Sequence, residues 1–237
     1  MISHEKKIVF VHIPKTGGKC LSQFLLPYCD ADSLKFSPYG EGKNCELHAT
    51  VTDYAKHYGQ RILTDYTFFT VVRNPFDKAL SMALHQNNNT FDRSKFRSIV
   101  RTPRNYGLWP HSHIHFLLCP IKMTPQMYIN LGHSAESSEE PIIDGFPKQS
   151  TPQHFNNLKS LMHPTTLLRF ERYSEDLSCF FDQHGIKYDK ELLNTKTNTT
   201  DHQHYSKYYG PVERAEIEYV CGFDLQWLDY KFEGEPK

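Results

Sequence analysis

The chain has 237 residues, 27 of them basic and 27 acidic. That length suits one large α/β domain or two small ones, with enough chain to bury a sizeable core. The balanced charge carries no nucleic-acid signature, and no apolar stretch approaches membrane length.

Residues 7–13 (KIVFVHI) are apolar and β-branched on both faces, which predicts a buried, parallel strand. Pro14, Lys15, Thr16, Gly17 and Gly18 follow, and a helix is expected from Gly17 to about Tyr28, with Leu21, Phe24, Leu25 and Tyr28 on its apolar face. Residues 30–47 read as a surface excursion. The same grammar returns at 66–72 (YTFFTVV), a second two-faced strand followed by Arg73-Asn74-Pro75. Asn74 suits a helix N-cap, Pro75 the first helical position and Asp77 the third, while Leu80, Ala83 and Leu84 continue the stripe. The segment 132–152 is rich in Ser, Glu, Gly and Pro and reads as a long surface loop, either a lid over a substrate or an inert insertion. A third strand, 165–170 (TTLLRF), leads into a helix over Tyr173–His184 that Gly185 stops, with Leu177, Phe180 and Phe181 inward. Val212–Tyr219 is an amphipathic helix, and the aromatic-rich 223–232 is expected to dock on the core.

Three strand-then-helix units imply right-handed crossovers and a mostly parallel sheet covered on both sides, in a single domain spanning 1–237. Ligands of such sheets bind at the carboxyl ends of the strands, where Lys15 and Arg73 both fall.

Helix N-termini attract anions because their first amides are unpaired and the dipole is positive there. Gly17 and Gly18 let the backbone approach an anion and Lys15 adds a charge; the plainer alternative is a strand–turn–helix with a solvated lysine. The run GGKC echoes the end of the phosphate loop GxxxxGKS/T, but Ile13 stands where its first glycine belongs and Cys20 where its magnesium-binding hydroxyl belongs. No GxGxxG occurs. In the second unit Arg73 leaves the strand end and Ser81 lies two helical turns beyond Asn74 on the same face, so a guanidinium and a hydroxyl make a second oxyanion site. The alternative is that Arg73 pairs with a carboxylate such as Asp77.

Together these stretches resemble the sulfotransferases that use 3′-phosphoadenosine 5′-phosphosulfate (PAPS). HIPKTGG (12–18) is similar to their 5′-phosphosulfate loop, and RNPFDKALS (73–81) to their 3′-phosphate motif. LLRFERYSEDL (167–177) and YYGPVERAEIEYVCGFDLQWLDYKF (208–232) resemble the membrane-type carbohydrate branch, which includes heparan uronyl 2-O-sulfotransferase. The resemblance implies a three-layer α/β sandwich with the P-loop-like nucleotide-binding fold of the sulfotransferases. It implies a donor site built from Lys15, Thr16, Gly17, Gly18, Lys19 and Cys20, with Arg73 and Ser81 on the 3′-phosphate, adenosine 3′,5′-bisphosphate as product and no metal. The chain departs from the family at Lys19-Cys20, where a hydroxyl pair usually follows the glycines.

Sulfuryl transfer needs a base for the acceptor's proton and cations on the developing charge. Lys15 and His48 are the candidate catalytic residues. His48, in ELHATVTDY, matches the place of the histidine base in the 2-O-sulfotransferase relatives, and Glu46, Asp53, His12 and His113 are the alternatives, His12 the weakest because its buried strand position suggests packing. Arg101, Arg104, His111 and His113 form a basic stretch suited to an anionic sugar, or a solvated surface. By resemblance, 198–207 (NTTDHQHYSK) closes over the nucleotide. The expected partner is a hydroxyl-bearing acceptor, a saccharide. The alternatives are a nucleotide kinase or other phosphoryl transferase, and a catalytically inactive nucleotide-binding module.

The fourteen histidines show no metal-ligand spacing, and the six cysteines (20, 29, 45, 119, 179 and 221) form no CxxC, as in a reducing compartment. With no signal-peptide pattern at Met1, and sequons only at Asn88 and Asn198, the expectation is a cytoplasmic microbial enzyme, or else a lumenal catalytic domain trimmed of its anchor.

Overall fold

The computed structural model describes residues 1–29, 48–101, 113–117, 159, 162–194 and 202–234. Four strands form one sheet in the order β1 (Ile2–Ser3), β2 (Ile8–Phe10), β3 (Thr67–Val72), β4 (Thr166–Arg169). β2, β3 and β4 run parallel, with Phe10 opposite Phe69 and Val72 opposite Arg169. β1 is an antiparallel edge, with Ile2 opposite Val9. The main helices are α1 (Gly18–Leu25), α2 (Val51–Tyr58), α3 (Pro75–Gln86), α4 (Arg93–Arg101), α5 (Tyr173–His184), α6 (Pro211–Val220) and α7 (Gly222–Trp227).

The two-faced character of the strands is satisfied by two separate cores, because successive side chains point to opposite faces. Val9, Val11, Ile13 and Phe68 pack on one face with Val51, Tyr54 and Ala55 of α2. Ile8, Phe10, Phe69 and Val71 pack on the other with Leu21 and Phe24 of α1 and Leu177, Phe180 and Phe181 of α5. The result is a helix–sheet–helix sandwich, the expected α/β architecture with its central, mostly parallel sheet. A third cluster joins Phe76 and Leu80 of α3 to Phe96 of α4, Ile217 of α6 and Tyr205.

The expected strands at 66–72 and 165–170 agree with β3 and β4 to within two residues. The first is shorter than 7–13: its ladder ends at Phe10, although Val11 still donates its N–H to the Phe69 carbonyl at 2.9 Å. From there the chain swings out toward α1. The edge strand β1 has no counterpart in the sequence reading, since two residues cannot display a period. Asn74 caps α3 by accepting from the Phe76 N–H at 3.1 Å, Pro75 is its first residue, and Gly185 closes α5 in the left-handed conformation (φ 60°).

The segment after α7 returns across the strand ends. Asn74 Nδ2 donates to the Lys231 carbonyl (3.0 Å), Arg169 Nη2 to the Leu228 carbonyl (2.6 Å), and the Glu233 N–H to Tyr205 Oη (2.8 Å). Phe232 stands edge-on to Phe76 and Tyr205, so the aromatic docking expected of 223–232 occurs. The excursion at 30–47 and the loop at 132–152 lie outside the described residues. Among the described residues no helix is long and apolar enough to cross a membrane.

Candidate functional site

The site begins where β2 gives way to α1. Lys15 holds a left-handed backbone (φ 65°), which costs a side-chain-bearing residue on the order of 1–2 kcal/mol. Gly17 is left-handed too (φ 85°) and is the N-cap of α1. A glycine supplies no side-chain cap, and the first turn of α1 holds no acidic residue, so the amides of Gly18 and Lys19 and the positive end of the dipole are left for an anion. The Lys15 ammonium has no partner among the described residues. Its pKa is lowered to about 8, first by burial and then by Arg73 and Lys19. A strained lysine with a depressed pKa at a strand end is a functional signature. The Thr16 hydroxyl is committed elsewhere: it is buried and donates to the Ile13 carbonyl at 2.8 Å, which leaves only the Thr16 backbone for a ligand.

The two glycines answer to different neighbours. A Cβ on Gly17 would lie 2.9 Å from the Tyr173 ring and 3.2 Å from that of Phe170. A Cβ on Gly18 would lie 2.0 Å from the His12 ring. His12 is buried and stacked on Phe10 with ring centroids 5.5 Å apart, so packing by itself already requires a glycine at position 18.

Arg73 joins this turn to α3. Its Nε donates to Asp77 Oδ2 at 2.8 Å, its Nη1 donates to the Lys15 carbonyl at 2.9 Å, and its guanidinium lies 4.1 Å from the Phe170 ring centroid. The pairing with Asp77 is therefore present without closing the site, because Nη2 makes no hydrogen bond among the described residues. Ser81, two turns along α3, is buried and its hydroxyl is likewise unpartnered there. One turn further His85 is exposed, and its pKa is lowered chiefly by Lys15, then by slight burial and Lys19. Arg73, Ser81, Lys15 and Lys19 thus share one strand-end region, with His85 in electrostatic reach of both lysines.

The candidate bases separate by their hydrogen bonds. The half-buried His48 directs Nδ1 at the His12 carbonyl, 3.0 Å away. A carbonyl only accepts, so Nδ1 carries the proton and Nε2 keeps its lone pair, with no hydrogen bond among the described residues. Burial lowers the His48 pKa, the His12 carbonyl opposes this, and Lys78 lowers it further. His113 is fully buried: its Nε2 accepts the Arg73 N–H at 3.3 Å and its Nδ1 faces Asp224 Oδ2 at 2.9 Å. Both of its nitrogens are used, and burial holds its pKa at about 4. His113 is a structural bridge from α7 to the start of α3, unsuited to act as the base or to grip a sugar. Asp53 is spent in the capping box of α2, accepting from the Thr50 amide at 2.8 Å. His12 is held well below its ordinary pKa by burial, His48 and the N-terminal amine, and its ring serves packing. Glu46, Arg104 and His111 lie outside the described residues, as does the side chain of Arg101. Of the stretch 198–207, residues 202–207 are described, with Tyr205 packed on Phe76.

Lys19 is exposed at the start of α1. Cys20 is not: its thiol lies in the core with Leu21 and Phe24, and its N–H donates to the Gly17 carbonyl at 3.1 Å, which leaves it no group to offer a ligand. The sequence reading missed Lys78, whose side chain is fully buried and whose Nζ has no partner among the described residues. Its pKa falls to about 8 through burial, against the pull of Asp224 and Cys221. The signal available was a lysine three positions before Ser81 on the same helical face. Asp77 answers its sequence reading as the alternative partner of Arg73, whereas Phe170 and Tyr173 carry no role in the sequence of 167–177.

A protein-family model described as "Sulfotransferase family" matches residues 1–231. No curated protein and no solved structure matches the chain.

Proposed function

The chain belongs to the sulfotransferase family, and from that premise we propose that PAPS is its donor, a saccharide hydroxyl its acceptor and His48 its base. The observation that carries the reading is the carboxylate-free, uncapped start of α1 tied through the Lys15 carbonyl to Arg73, with the unpartnered Ser81 hydroxyl on the same helix. A nucleotide bearing phosphates at both ends fits that pairing. The match over 1–231 favours a single domain. The motifs at 167–177 and 208–232 favour a carbohydrate acceptor.

In this reading the 5′-phosphosulfate lies on the backbone amides from Thr16 to Lys19, with the Lys15 ammonium on the bridging oxygen. Arg73 Nη2 and the Ser81 hydroxyl take the 3′-phosphate. His48 Nε2 accepts the proton of the acceptor hydroxyl as its oxygen attacks sulfur in line. The bond from sulfur to the bridging oxygen breaks, and adenosine 3′,5′-bisphosphate departs with the electron pair. Lysine and backbone dipoles supply the positive field, so no metal is required. Cys20 contributes packing beneath the loop.

Thermal melts test the donor class. Adenosine 3′,5′-bisphosphate is expected to raise the melting temperature, as a ligand of the folded state must. Stabilisation by ATP with magnesium alone would make the protein a phosphoryl transferase instead.

A further inference from the structure

The Arg73 guanidinium is held on three sides, and Nη2 is its one nitrogen without a hydrogen bond among the described residues. Nε goes to Asp77, Nη1 to the carbonyl of Lys15, and the flat face to Phe170. The Lys15 carbonyl belongs to a strained residue, and a left-handed lysine persists only where surrounding contacts over-determine it. Two residues further on, the Gly17 carbonyl accepts a hydrogen bond from Tyr173 Oη at 2.9 Å. Tyr173 and Phe170 are also the two rings against which Gly17 is packed. The turn 15–17 is therefore clamped twice, from β3–α3 by Arg73 and from β4–α5 by Tyr173, and Phe170 touches both clamps.

We propose that Arg73, Asp77, Phe170 and Tyr173 form a latch that sets the conformation of the 5′-phosphosulfate loop, so that the residue reading the 3′-phosphate also positions Lys15. The proposal rests on the PAPS reading of the same site. Asp77 and Tyr173 are positioning residues in it: Asp77 Oδ2 accepts from Arg73, Tyr173 Oη donates to Gly17, and neither has to touch the nucleotide. Recognition of the two phosphates is then coupled. A nucleotide lacking the 3′-phosphate leaves Arg73 without its outer partner and forfeits part of the loop order as well as one contact. Two states of one element, biased from both ends, are what coupling between subsites requires.

The experiment is a double-mutant cycle with Asp77→Ala and Tyr173→Phe, changes that each remove one clamp's polar bond. Affinity for adenosine 3′,5′-bisphosphate is measured by calorimetry on folded protein, checked by its melting temperature. Each single variant is expected to bind about 5- to 20-fold more weakly, within the range of one lost hydrogen bond to a charged or strained group. Because both clamps hold the same turn, the double variant is expected to lose markedly less than the product of the two. Affinity within twofold of the parent for either single variant, or losses that multiply, overturns the latch. Amide hydrogen exchange over residues 15–19 without nucleotide reads the latch independently of any ligand. Faster exchange in both variants is expected, and unchanged exchange overturns it. If the parent binds no bisphosphate while exchange still responds, the donor reading fails and the latch stands.

Discussion

His48 and His12 are joined by a hydrogen bond from an imidazole Nδ1 to a backbone carbonyl at 3.0 Å, with their rings 4.6 Å apart. The bond fixes the neutral tautomer of His48 with its lone pair on Nε2, the form a general base needs. Replacing His48 by Ala is expected to lower transfer by about 10²- to 10⁴-fold, the usual worth of a positioned base. Bisphosphate affinity should stay within threefold. Since burial keeps the His48 pKa below its ordinary value, transfer should fall only as pH drops below that value, where the lone pair is lost. Labelled-donor assays across pH check both points, and activity surviving in the Ala variant would place the base elsewhere.

Lys15 titrates at about 8 in the folded protein, so its charge fades as pH rises through that value. Bisphosphate affinity of the parent should therefore weaken on the alkaline side of pH 8. A Lys15→Arg variant should keep its affinity to higher pH, because a guanidinium does not lose its proton there. Lys15→Met should bind weakly at every pH. Calorimetry at pH 6.5, 8 and 9.5 separates the three, and a pH-independent parent would sink the assignment.

Lys78 holds a buried ammonium with no partner among the described residues and titrates at about 8. An unfolded lysine titrates near 10.4, so between those values the unfolded chain binds more protons and stability rises with pH. Below about pH 8 the full cost of the buried charge persists. Lys78→Met is expected to stabilise the protein by ~1–3 kcal/mol at pH 7 and to flatten much of the rise from pH 8 to 10. With the positive neighbour gone, the His48 pKa should rise and the acid side of the rate profile should move upward in pH. Urea melts and the rate profile test these separately.

Gly18→Ala sets a methyl group against the His12 ring, and the crowding should cost ~1–3 kcal/mol. The displaced ring carries the His12 carbonyl's neighbourhood with it, so transfer should fall too. Combining the change with His12→Ala should cost less than the sum of the two, because the clash disappears. Additive losses in urea melts would show that the contact is not what constrains Gly18.

The parallel sheet was legible because β2, β3 and β4 are apolar on both faces, and the cap residues Asn74, Pro75 and Gly185 speak through local chemistry. The turns at 12–18 and 73–81 were legible as candidate anion sites for the same reason: each is a contiguous run whose chemistry follows from its own residues. What could not be read were relations between runs. Nothing local says that the Arg73 Nη1 meets the Lys15 carbonyl across 58 residues, or that Tyr173 bonds Gly17 across 156. Thr16 and Cys20 looked like ligand donors because motif position does not reveal that one hydroxyl turns back to Ile13 and one thiol inward to Phe24. His113 reads in the sequence as an alternative base or part of a basic stretch, because nothing local tells of Asp224, 111 residues away, beside it.

The segment 228–233 binds Asn74 and Arg169 through its own carbonyls, and the Asn74 bond spans 157 residues. During synthesis the sheet strands and the turns at 12–18 and 73–81 are made well before these carbonyls exist. Long-range closures of this kind come late and slowly. Ribosome-bound chains stalled before residue 228 should therefore hold α3 and β4 without the ties from Asn74 and Arg169. The start of α3 should gain its protection from protease in one step, once residues 228–233 have emerged, rather than gradually as the chain lengthens.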